Sequence, residues 1–221
     1  MRVVAAGIKA VMFDMDGLLF DTERLFFQAM QAAGREAGCE VPEALFLSLI
    51  GHTRERNFTL MREHYGAQFA AEEFHALCHQ HFDTLLPHEL CLKPGVRELL
   101  DRLDQLSLPR ALVTSSSRSS VDRNLAAFDL AARFDCIVAH GDYQRGKPDP
   151  EPYLLAAARL DVEPARCLAL EDSLNGVRSA AGAGMRTVMI PDLLEPTDEM
   201  RGLCIAVMVD LQKVKTMLVD R

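Results

Sequence analysis

Four places along this 221-residue chain put residues suited to phosphate and metal chemistry at the end of an apolar run or just before a helical one. Asp14-Met15-Asp16-Gly17 follows the run that starts at Ile8, Thr114-Ser115 closes a second run and Glu171-Asp172 a third, while Lys147 stands in the loop Gly146-Lys147-Pro148-Asp149-Pro150. Asp14 and Asp16 are two residues apart, so on an extended strand both side chains project to one side until the chain turns at Gly17. Paired carboxylates at one substrate can divide the work, one attacking as nucleophile and the other carrying the proton to the leaving group and from water. Four carboxylates converging on one point repel one another unless a cation sits among them, and an all-oxygen set suits Mg²⁺. Lys147, with the hydroxyl and backbone N–H groups at Thr114 and Ser115, would then hold phosphoryl oxygens, partly through a following helix N-terminus. Each piece alone has a plainer reading. A D-x-D can be a turn, Glu171-Asp172 can cap a helix at Asn175, and the run Ser115–Ser120 can be a cap cluster.

The elements that must position these groups are legible as short apolar runs alternating with helical patterns, the signature of a parallel sheet covered by helices. Strands are expected over Ile8–Met15, Arg110–Thr114, Asp135–Ala139, Cys167–Glu171, Arg186–Ile190 and Ile205–Val209, each rich in Val, Ile, Leu or Ala as a strand buried on both faces should be. Helices are expected over Pro94–Leu106, where Val96, Leu99, Leu100, Leu103 and Leu106 recur at helical spacing, and over Ser119–Leu130, Pro152–Leu160, Gly176–Ala183 and Leu211–Leu218. In such sheets ligands bind at the carboxyl ends of the strands, where the polar residues above stand. Residues 22–92 break the alternation with helical patterns and no strand. The expected fold is therefore α/β: a Rossmann-like three-layer core with a parallel sheet, formed by residues 1–21 and 93–221, and an inserted all-helical domain at 22–92.

A net charge of −8 argues against a nucleic-acid surface, which needs clustered Lys and Arg. No run of about eighteen apolar residues suggests a membrane span, and the N-terminal stretch lacks the long apolar region of a secretory signal, so a cytoplasmic protein is expected. Six cysteines without a C-x-x-C pair are read as reduced thiols. His75 and His79 lie at i and i+4 near Cys78 and His81 and could in principle chelate zinc, but no acidic partner or cysteine pair completes a site, and an ordinary helix is expected, with His79 or His81 able to face a substrate cleft.

DMDGLLFDTE (Asp14–Glu23), LVTSSS (Leu112–Ser117), GKPDPEPY (Gly146–Tyr153) and LEDSLNGVRSAAGAGM (Leu170–Met185) resemble the four motifs of the haloacid dehalogenase superfamily, in the family's order and spacing over nearly the whole chain. The resemblance implies that Asp14 forms an aspartyl-phosphate, that Asp16 is the general acid/base and a backbone-carbonyl metal ligand, and that Asp172, with Glu171, supplies metal-side carboxylates. It places Thr114, Ser115 and Lys147 at the phosphate-binding positions and makes the helical insertion a cap that closes over the site and chooses substrate. Founding dehalogenases lack the second aspartate, so Asp16 favours phosphate over halide chemistry. The β-phosphoglucomutase branch carries a histidine where this chain has Phe26, which weakens a mutase reading. Leu49-Ile50-Gly51-His52-Thr53-Arg54 is similar to that branch's specificity loop, making Arg54 the cap-side substrate candidate. DMDGLLFDTERLFF and NGVRSAAGAGMRTVMIPD also resemble pseudouridine 5′-phosphatases and sugar-phosphate phosphatases.

The expected activity is Mg²⁺-dependent hydrolysis of a small phosphorylated metabolite, a sugar phosphate or nucleotide-like monophosphate, with a monomer compatible with the sequence. A phosphomutase would use the same core but return the phosphoryl group. A non-catalytic binder of phosphometabolites would have no use for the acidic set.

Overall fold

The structure, a computed structural model, describes residues 7–218. Residues 1–6, part of the stretch read above for a secretory signal, lie outside it, as do residues 219–221. The described residues form two compact units, one made of Asp21–Cys91 and the other of the chain on either side of it.

The larger unit holds six strands: β1 (Ala10–Phe13), β2 (Arg110–Ser117), β3 (Cys136–His140), β4 (Cys167–Glu171), β5 (Arg186–Met189) and β6 (Ala206–Val207). All pair in parallel, in the order β3-β2-β1-β4-β5-β6. β1 is central because it is apolar throughout and has no polar group to give up to solvent; all four of its residues are buried. Register pairs Phe13 with Leu112 and with Leu170, which brings the ends of β1, β2 and β4 side by side.

Four helices of the Asp21–Cys91 unit precede the rest: α1 (Thr22–Ala37), α2 (Glu43–Leu49), α3 (Arg54–Tyr65) and α4 (Ala71–Glu89). The larger unit adds α5 (Val96–Gln105), α6 (Arg118–Ala126), α7 (Glu151–Arg159), α8 (Leu174–Gly182), α9 (Asp198–Leu203) and α10 (Leu211–Met217). Tyr153, Ala156 and Ala157 of α7 and Ala180 of α8 pack on Ala10, Met12, Ala111, Val113 and Ala169, one alternating face of the sheet. Val11, Phe13, Leu112 and Leu168 occupy the other alternating positions and are equally buried, so the strands are covered on both faces. α5 packs against α10 so closely that a side chain at Gly95 would meet the backbone of Leu211 and Gln212.

Several boundaries move from expectation: β1 is Ala10–Phe13 rather than Ile8–Met15, and α6 ends at Ala126 rather than Leu130. β6 is two residues rather than the five of Ile205–Val209, because Ile205 and Val209, at the sheet's edge, are exposed. β2 runs to Ser117 rather than stopping at Thr114, with its register to β3 shifted between Val113 and Ser117.

In the Asp21–Cys91 unit the described residues form helices and no strand. Met30 and Ala33 of α1, Phe46 of α2, Met61 of α3 and Phe74 and Cys78 of α4 make its core, with Phe27 stacked on Phe46 at 4.8 Å. None of the described helices is long and apolar enough to cross a membrane.

Candidate active site

Asp14 is the first residue beyond β1, where its N–H bonds the Leu170 carbonyl at 3.1 Å and its side chain reaches the carboxyl ends of the strands. There it meets Lys147, whose Nζ donates to Asp14 Oδ1 at 2.5 Å, to Glu171 Oε1 at 2.5 Å and to the Val113 carbonyl at 2.9 Å. Lys147 is delivered by the loop ahead of α7, a loop tied down where Ser179 Oγ of α8 donates to the Asp149 carbonyl at 2.5 Å. Glu171, the last residue of β4, is fully buried and is tolerated there because its Oε1 also accepts from Tyr153 OH at 2.5 Å. The Lys147 ammonium lies 5.2 Å from the Tyr153 ring centre, a cation–π distance. Tyr153, Glu171, Lys147 and Asp14 therefore form one buried chain of hydrogen bonds.

After Asp14 the chain turns through Gly17, whose φ of 79° a larger residue rarely adopts, and a side chain there would strike the Asp172 carboxylate. Asp16 is held by the hydroxyl of Ser116, which donates to its Oδ2 at 2.6 Å. Thr114 is buried, and its hydroxyl oxygen accepts from Ser116 N at 3.0 Å; Ser115 is exposed. Ser117 accepts from Ser120 N as the N-cap of α6, so the serine run both caps a helix and reaches the acidic group. At α8 the cap is Ser173, which accepts from Gly176 N at 3.1 Å. That leaves Glu171 and Asp172 to other partners.

Asp14, Glu171 and Asp172 each place a carboxylate oxygen within 4.8 Å of the others. The Asp14 carboxyl is pushed up to about 7, first by burial against the pull of Lys147, with Glu171 and Asp16 adding to the rise. Burial alone would lower the Lys147 ammonium, but Asp14 and Glu171 outweigh it and hold the lysine above its ordinary value. The donor set thus carries more negative charge than its one lysine balances. Hard oxygen donors gathered this closely fit a small divalent cation, which Asp14, Glu171 and Asp172 could hold.

The expected residues of the larger unit, Asp14, Asp16, Thr114, Ser115, Lys147, Glu171 and Asp172, are thus gathered at adjoining strand ends. Arg54 is the first residue of α3 in the other unit, where its charge acts on His75 and His79. Three participants were not singled out by sequence. Tyr153 lies inside a quoted motif and Ser116 inside the serine run, yet neither has a spacing that tells of its partner. Asp192, its side chain 5% exposed, pairs with Lys93 at 2.5 Å, and like Asp172 it lies against the turn at Gly17.

The model of the family described as haloacid dehalogenase-like hydrolase matches residues 11–190. YhcW of Bacillus subtilis (strain 168), provisionally named a phosphatase, is 36% identical over 191 residues, covering 86% of each chain. The phosphorylated carbohydrates phosphatase of Thermotoga maritima is 33% identical over 181 residues, 82% of this chain and 84% of that one. A T. maritima crystal structure provisionally named a beta-phosphoglucomutase superposes with a TM-score of 0.81 at 30% identity, covering 96% of this chain and 98% of its own. The family match and these relatives span most of the chain's length: the chain is an enzyme and belongs to the haloacid dehalogenase-like hydrolases.

Proposed function

We propose that this hydrolase is a Mg²⁺-dependent phosphatase of small phosphorylated metabolites, a sugar phosphate or nucleotide-like monophosphate, acting through an aspartyl-phosphate on Asp14. The observation that carries the reading is the Asp14 carboxylate at the carboxyl end of β1, in contact with Lys147 and clustered with Glu171 and Asp172. Asp14 attacks phosphorus in line, forming the new P–O bond as the ester P–O bond breaks, and Asp16 gives its proton to the departing alkoxide. Asp16 then takes a proton from water, whose oxygen attacks phosphorus and releases phosphate from Asp14. Thr114, Ser115 and Lys147 hold the phosphoryl oxygens during both steps. Bound by Asp14, Asp172 and the Asp16 carbonyl, Mg²⁺ would neutralise charge on the phosphoryl group. Glu171 orients Lys147.

The helical unit Asp21–Cys91 is the cap in this reading, and Arg54 its recognition residue for the distal part of the substrate. The name of the T. maritima relative, a phosphorylated carbohydrates phosphatase, supports phosphorylated sugars as the first substrates to try.

The test is phosphate release from sugar phosphates, nucleotides and pseudouridine 5′-phosphate with Mg²⁺, with EDTA, and with Asp14→Asn. Release from a narrow group, lost with EDTA and in the variant, is expected. An isomerised product with little free phosphate would make the chain a mutase instead, and binding without turnover would end the enzymatic reading of this site.

A further inference from the structure

Ser116 has a place in the site that the reading above does not use. It is not the cap of α6, since that role belongs to Ser117. Its N–H is tied to Thr114 Oγ1 at 3.0 Å, where β2 departs from regular pairing with β3. Such an irregularity re-aims a side chain, and here the hydroxyl points to Asp16 Oδ2, at 2.6 Å, across a separation of 100 residues.

We infer that Ser116 is the positioning residue for the general acid/base, holding the Asp16 carboxylate in the orientation from which it transfers protons; this rests on the phosphatase reading. The residue type suits the task. Asp16 must pass between carboxylate and carboxylic acid, and a hydroxyl serves both forms, donating to the first and accepting from the second. A lysine or arginine could only donate and would hold Asp16 ionised. A bond to one oxygen also restricts rotation of a short side chain beside the Gly17 turn, where proton transfer needs hydrogen-bond reach.

The test uses the full chain with Mg²⁺ and a series of phosphate monoesters whose leaving groups run from 2,4-dinitrophenol, which needs little protonation, through phenol to an alkyl alcohol, which needs it fully. General acid catalysis contributes about 10²–10⁴-fold, so misplacing the acid is expected to lower kcat/KM about tenfold or more for the alkyl ester. Ser116→Ala should leave the dinitrophenyl ester within about threefold of wild type, and Ser116→Thr, which keeps the hydroxyl, should restore the alkyl ester. Inhibition by inorganic phosphate should be unchanged. An equal loss across the series, or weakened phosphate inhibition, overturns the inference by making Ser116 structural or a phosphate ligand. Wild-type protein that hydrolyses none of the esters fails differently: it overturns the phosphatase reading itself, and the inference with it.

Discussion

Lys147 gains its fixed position from two buried carboxylates, and Glu171 can be buried because Tyr153 and Lys147 both donate to one of its oxygens. Tyr153→Phe keeps the ring under the ammonium and removes only the O–H. A hydrogen bond to a charged group is worth about 1.5–3 kcal/mol, so urea denaturation should show a loss of that order. Activity should fall too, since Glu171 would hold Lys147 with one partner fewer; unchanged stability would mean that Glu171 finds another donor. Gly17→Ala tests the turn beside it. The added methyl would force the Asp172 carboxylate away from its place and require a backbone conformation that alanine rarely adopts, so activity should drop by more than about tenfold and the melting temperature should fall with it.

The first turn of α8 carries two requirements at once. Ser173 caps it, and Gly176 leaves room for the Glu171 carboxylate, which a side chain at 176 would overlap. Ser173→Ala should cost about 1 kcal/mol of stability by urea denaturation, the ordinary worth of an N-cap. In the Asp21–Cys91 unit, α4 sets His75 and His79 one turn apart, with ring nitrogens 3.2 Å from each other. Burial first, then His79 and Arg54, hold the His75 imidazole below its ordinary value. Burial also lowers His79, with Asp83 opposing and Arg54 adding to the effect, while the rings of Phe58 and Phe26 pack against the pair from α3 and α1. Both imidazoles therefore resist protonation in the folded unit. As pH falls through the ordinary value of 6.5, the unfolded chain takes up protons that the folded one refuses, and stability present above that value is lost. Amide-exchange protection in α4 should fall between about pH 7.5 and about pH 5.5, and less steeply in the double variant His75→Gln, His79→Gln.

Across the whole molecule, a cation held by Asp14 and Asp172 would bind the folded chain and not the unfolded one, because carboxylates drawn from residues 14 and 172 converge only after folding. Mg²⁺ should therefore raise the melting temperature, by an amount equivalent to about 2.7 kcal/mol at a hundredfold excess over its dissociation constant. Asp172→Asn should remove that rise; a rise that survives the substitution would place the cation elsewhere. The sheet was legible in the sequence because a strand buried on both faces must be apolar along its whole length, as Val11, Met12 and Phe13 are. The acidic residues were legible for a related reason: Asp14, Glu171 and Asp172 interrupt apolar runs where a strand must end, and a charge there needs a use. Legibility failed at the ends of elements. The end of β6 and the continuation of β2 to Ser117 depend on which neighbours cover them, and no local spacing records that.

The sequence by itself determined the order of the strands along the chain, the helical character expected over residues 22–92 and the identity of the charged groups, because periodicity and residue type are local properties. Only the tertiary structure decided which donor serves which acid. Lys147 with Asp14, Ser116 with Asp16 and Lys93 with Asp192 are separated by 133, 100 and 99 residues. Such pairs are set by strand order and register, and a carboxylate in a sequence carries no mark of the partner that will neutralise it.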